Sequence, residues 1–223
     1  MSKVTRLTPK RAPTRPPSTR LKAPLPSALE KVRERVLERA GGLLSDMLDG
    51  ADDTLFNLSE KETDSERARY FDAMRELRIQ RAALEAGFRQ ALSRHFQDAG
   101  QPLPDATPAS EVDVESLALV QEEELETQVA LDNLARRARN GCEESLRAFM
   151  HRLEYLFEGK CAFTEKNNPL DPRQLAASFA GALERLPLDI RSRLIVLKLF
   201  ERVGLDEAGG LVEEANGILA DAG

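Results

Sequence analysis

The sequence predicts an all-α protein, and three observations carry that reading. Leu and Ala together number 61 of the 223 residues, against 14 for Val plus Ile, and aromatics are only 5% with no Trp. Leu and Ala lose little freedom in a helix, whereas β-branched residues suit a pleated surface. Apolar residues also recur at steps of three and four over long stretches, the period of a helix. Proline, finally, falls between these stretches or at the start of one, never inside. The architecture expected is an elongated bundle of three long antiparallel helices over residues 27–159. A compact subdomain of shorter helices follows over 160–223, and a basic, proline-rich tail precedes over 1–26.

The tail holds seven Lys or Arg, no acid and six of the twelve prolines. Proline removes backbone donors, and the few large apolar groups there cannot offset ordering entropy, so this segment is expected to be disordered. Ser27 opens the first helix, with Glu30 three residues on in the spacing of a capping box. Leu29, Val32, Val36, Ala40, Leu43, Leu44, Met47 and Leu48 then follow at helical steps, and the pattern runs on to Leu55, Phe56 and Leu58. Gly41–Gly42 is its soft point.

A second helix is expected from near Ser65 to about Asp98. Its seam is Tyr70, Met74, Leu77, Arg81, Leu84, Phe88, Ala91 and His95, alternating steps of four and three. Arg81 would either snorkel out of that seam or pair with a carboxylate on the facing helix. Gly100, Pro102, Pro104 and Pro108 enforce a break. The third long helix should begin between Glu111 and Gln121 and end near Gly159, with a kink at Asn140–Gly141. Its apolar positions include Val129, Leu134, Ala138, Cys142, Leu146, Phe149, Leu153 and Leu156.

Asp171 followed by Pro172 reads as an N-cap with proline at the first helical position, opening a helix to about Arg185. From Asp189 to Val203 the chain is apolar nearly all round, through Leu194, Ile195, Val196, Leu197, Leu199 and Phe200, and is expected to be buried. Gly204 is read as the residue that ends it. A last helix near Asp206 to Asp221 presents Leu211, Val212, Ile218 and Leu219 on one side.

The chemistry-bearing residues are sparse. Histidine occurs only at His95 and His151, and neither sits in the Glu-x-x-His spacing of di-iron bundles. His151 and Glu154, three apart, can touch. No glycine-rich phosphate loop is present. Cys142 and Cys161 fit no disulfide framework or metal spacing and point to a reducing cytoplasm. No apolar run approaches the ~18 residues that span a bilayer, and no secretory leader opens the chain. Accordingly, no catalytic, cofactor-binding or metal-ligating residue is put forward, and no membrane partner is expected.

Charge is the strongest signal. The net charge of −6 conceals a tail of +7, and residues 111–126 hold seven acids and no base. The interaction candidates are therefore Lys10, Arg11, Arg15 and Arg20 in the tail, and Glu122, Glu123, Glu124 and Glu126 in the acidic block. The tail is expected to dock on that block, in one chain or across two copies, through weak collective attraction.

Five blocks carry a family resemblance: Ala51-Asp52-Asp53-Thr54-Leu55-Phe56, Tyr70-Phe71-Asp72-Ala73-Met74-Arg75, Leu119-Val120-Gln121-Glu122-Glu123-Glu124-Leu125-Glu126, Asn167-Asn168-Pro169-Leu170 and Leu188-Asp189-Ile190. In order and spacing they resemble the amino-terminal region of a proteobacterial family, domain of unknown function 1631, over most of residues 29–222. Members are usually much longer, so the resemblance implies a short member or a piece of a longer chain. It implies no agreed activity and no catalytic residues. Some members bear a thymidine phosphorylase label, for which this sequence supplies neither a phosphate loop nor a sheet. The expected function is a non-catalytic, helical protein–protein interaction or regulatory scaffold of the bacterial cytoplasm, with an unidentified protein partner and possible self-association. The alternatives are a nucleic-acid-associated protein acting through its basic tail and, more weakly, a fragment of an enzyme.

Overall fold

Two helices of 33 and 35 residues form a hairpin against which shorter helices pack. The structure, a computed structural model, describes residues 25–101 and 120–222. These contain α1 (Ser27–Ser59), α2 (Asp64–Asp98), α3 (Val120–Gly141), α4 (Glu143–Leu156), α5 (Pro172–Leu183) and α6 (Ile190–Phe200). A π turn (Glu201–Leu205) and α7 (Ala208–Asp221) complete the order. The fold is all-α, with no strand among the described residues.

α1 buries Leu29, Val32, Val36, Ala40, Leu44, Met47, Leu48, Ala51 and Leu55 and runs unbroken through Gly41–Gly42. Its first turn differs from the expected capping box. Ser27 is already helical, Pro26 stands at the cap, and no side chain caps the end. The Glu30 carboxylate instead accepts from the Arg33 guanidinium at 2.9 Å. A proline at the cap fixes the entry backbone without a side-chain acceptor.

α2 begins at Asp64 and buries Tyr70, Met74, Leu77, Leu84 and Phe88 as the seam predicts. Beyond Phe88 the buried positions are Leu92 and Phe96 in place of Ala91 and His95. A straight helix repeats at 3.6 residues, so a strict seven-residue seam slides off the contact line. Here the slide is useful, because α2 packs on α1 along one face and on α5 along another. Gly100, at φ +77°, ends the helix in the left-handed region, and the Phe157 ring covers it so closely that a Cβ would lie 2.2 Å from the ring.

The expected third long helix is two. α3 ends at Gly141, Cys142 takes φ −131° and ψ 23°, and α4 starts at Glu143. Asn and Gly are poor helix formers and allow the backbone to turn there. The halves then find different partners: α3 lies mainly on α5, and α4 on α7. α7 also packs on α1, where Arg39 donates to Glu207 and Glu214, both at 3.1 Å. All these helices contribute to one continuous apolar core.

That core is anchored by three rings. Phe88 of α2 meets Phe179 of α5 and Phe200 of α6 edge-on, at 6.4 and 5.7 Å between centroids, while Phe179 and Phe200 stack at 4.1 Å. Phe200 explains Gly204 differently from the sequence reading. The chain does not stop there; it passes through the π turn, closed by the Asp206 amide donating to the Glu201 carbonyl at 2.9 Å. A Cβ on Gly204 would come within 2.7 Å of the Phe200 ring. α6 is also less enclosed than expected. Val196, Leu197 and Phe200 are buried, but Leu194, Ile195 and Leu199 are only partly covered.

Leu197 is 1% exposed. Leu197→Asp therefore places a charge at an almost wholly buried position of the core. The expected loss is on the order of 3 kcal/mol or more, read by urea unfolding. Gly204→Ala is expected to cost about 1–3 kcal/mol despite its higher helix propensity, because the wedged Phe200 ring cannot yield to a methyl group.

Candidate functional site

The partial cover over α6 opens a groove between α3 and α6, about 500 Å³ in volume. α3 contributes Val129, Ala130 and Leu134 to it, and α6 contributes Leu194, Ile195 and Leu197. Val129 is 52% exposed, and Leu125, one turn before it, is 65% exposed. The charged rim is Glu126 and Arg137 on α3, with Arg191 and Lys198 on α6. Arg137 pairs with Glu201 at 3.0 Å, just beyond α6, and Arg191 pairs with Glu66 of α2 at 2.7 Å. The arginines are exposed and the two glutamates only partly covered, so each pair contributes modestly to stability.

The position of α3 depends on a second feature beside the groove. Asp171, 1% exposed, caps α5 by accepting from the Arg173 amide at 3.0 Å and is bound by the Arg139 guanidinium at the end of α3. Arg139 also lies 3.5 Å from Glu165, and Arg173 donates to Asp132 of α3 at 2.9 Å. Burial pushes the Asp171 carboxyl above its ordinary range, more strongly than the Arg173 amide and the Arg139 charge pull it down. The same burial, with the negative Asp171 nearby, pushes the Cys142 thiol up to about 11. Cys142 is thus a neutral thiol that donates to the Ala138 carbonyl at 3.2 Å.

Of the interaction candidates, Glu126 is exposed on the groove rim. Glu122, Glu123 and Glu124 fall on the first turns of α3, but their side chains lie outside the described ones. Lys10, Arg11, Arg15 and Arg20 lie outside the described residues, as does the acidic block before Val120, and with them the expected tail docking. Arg81 is half-exposed and does pair across the hairpin. It binds Asp49 and the Ser45 hydroxyl of α1 and Glu85 on its own helix, and the two carboxylates raise its pKa. His151 lies 3.5 Å from Glu154, as their spacing allows. Burial lowers the pKa of His95, so it is neutral at pH 7. Among the described residues no group of three or more His, Cys, Asp or Glu could hold a metal ion. The basic rim and the open side of α6 were not anticipated from the sequence. The Arg191 and Lys198 positions were visible, but nothing in periodicity says which apolar face stays uncovered.

An all-helical chain with an open, charge-rimmed groove is the class that fold and site define. Within that class, the chain belongs to the family described as protein of unknown function (DUF1631), matching its N-terminal domain over residues 24–223. No curated protein and no solved structure matches the chain. No helix among the described residues is long and apolar enough to cross a membrane.

Asp171 offers a test of how α3 and α5 are held. Asp171→Asn keeps the cap acceptor and loses the ion pair; Asp171→Ala loses both and is expected to cost about 1 kcal/mol more. The folded carboxyl holds its proton at higher pH than the unfolded chain does. Acidification from the raised folded value down to the ordinary carboxylate value therefore favours the folded wild type. Urea unfolding across that window should show the wild type gaining on the Asn variant as pH falls.

Proposed function

We propose that this protein is a non-catalytic scaffold that binds a protein partner through the groove between α3 and α6. The observation that supports it is the group Val129, Leu194 and Ile195, apolar and incompletely covered within a charged rim. Contiguous apolar surface of this kind, bordered by charges, is characteristic of interaction sites. An amphipathic helix is the shape that such a groove accepts, with anchors at steps of three and four. The compartment that goes with this reading is the bacterial cytoplasm, where the two cysteines, both free, would stay reduced.

A photo-cross-linking residue at position 195 tests the proposal in the native cytoplasm. It is expected to trap a specific protein, and the product should vanish in Val129→Glu while the circular dichroism spectrum is unchanged. The same label at Ile79, exposed on α2 and not part of the groove lining, should trap nothing comparable. Equal products at both positions, or none at 195, would overturn the groove as the binding surface.

A further inference from the structure

Arg137 and Arg191 on the rim already hold Glu201 and Glu66, so an occupant of the groove must bring an apolar ridge and an acid for Lys198. α3 itself presents that ridge. Leu125 and Val129 stand four residues apart on one exposed face, with Glu126 beside them. One helix thus carries the knob and one wall of the hole.

The two rim charges without an ion pair among the described residues, Glu126 and Lys198, stand toward opposite ends of the groove. Arg137 pairs with Glu201 just past α6, so the last turns of α3 and α6 share one end, and Lys198 belongs to it. Glu126 lies toward the start of α3, at the other end. If α3 of a second copy is laid antiparallel on the first, Glu126 of each copy falls opposite Lys198 of the other. Val129 of each then meets the floor formed by Leu134, Leu194 and Ile195 of the other. Every contact is made twice, as a two-fold interface requires.

We infer that the occupant of the groove is a second copy of this chain, docked through an antiparallel α3–α3 contact that buries Leu125 and Val129 and sets Glu126 against Lys198 across the interface. This rests on the reading of the groove as a binding surface and names its partner.

Sedimentation velocity of the full chain over a concentration series tests it. The wild type is expected to move from 24.8 kDa toward twice that mass as concentration rises. Val129→Glu and Ile195→Glu should remain monomeric with unchanged circular dichroism. Glu126→Lys and Lys198→Glu place like charges opposite each other twice, so each alone should weaken self-association about tenfold. An equimolar mixture of these two variants should recover the wild-type affinity, because the mixed dimer pairs opposite charges at both positions. That recovery is specific to this face and to this antiparallel register.

A monomer at every concentration overturns the inference, as does a dimer indifferent to Ile195→Glu, or a mixture no tighter than its parts. The first of these is separable from failure of the groove itself. A monomeric wild type that still cross-links from position 195 to a different protein, in a manner lost in Val129→Glu, keeps the groove and removes only the second copy.

Discussion

The burial of the Asp171 carboxylate is the constraint on which the arrangement of the later helices depends. Taking a carboxylate out of water costs several kcal/mol unless donors are placed around it. The first turn of α5 supplies one donor and Arg139 of α3 another. Meeting that need fixes the last turn of α3 against the first turn of α5. α5 is in turn locked to α2 through Phe179 and Phe88. The groove is then a consequence of geometry: α3 is held by its far end and by Asp132–Arg173, and α6 by Phe200, which leaves the surface between them incompletely filled. A buried ion pair of this kind specifies an arrangement more than it strengthens one.

Much of the fold is legible in the sequence where one residue type has one physical use. Asp171–Pro172 announces α5, because aspartate satisfies free amides at a helix start and proline lacks the amide that would go unsatisfied there. Asp189 does the same for α6, accepting from the Ser192 amide at 3.1 Å. The apolar period of α1 survives its paired glycines, since burial along 33 residues outweighs two weak positions. Ser27 and Glu30 mislead because proline next to them takes the cap, which spacing alone does not reveal. The single long helix read from between Glu111 and Gln121 to near Gly159, with only a kink at Asn140–Gly141, misleads for another reason. The apolar steps on either side of Asn140–Gly141 are almost in phase, so the pattern looks continuous, although the two halves serve different neighbours.

The groove is less legible than the helices. An apolar run such as Leu194–Leu197 says that burial is favourable, and within one chain the simplest inference is that it is complete. Whether it is complete depends on how far apart α3 and α6 are held, and that distance is set by Asp171 and the three phenylalanines, none of which lines the groove. Residues that define a surface and residues that hold it open are different sets here.

The π turn at Glu201–Leu205 has a consequence for how this chain tolerates gaps. A π turn holds one residue more than an α turn, and removing that residue would rotate α7 by about 100° around the helix axis. Leu211, Val212, Ala215 and Leu219 are buried on α7, whose neighbours are α1 and α4. A deletion between 201 and 205 would swing that stripe away from its neighbours, whereas one between Glu60 and Thr63, in the exposed link of the hairpin, leaves both long helices in phase. Length variation is therefore cheap at the tip of the hairpin and ruinous at the π turn, so the count of residues there matters as much as their identity.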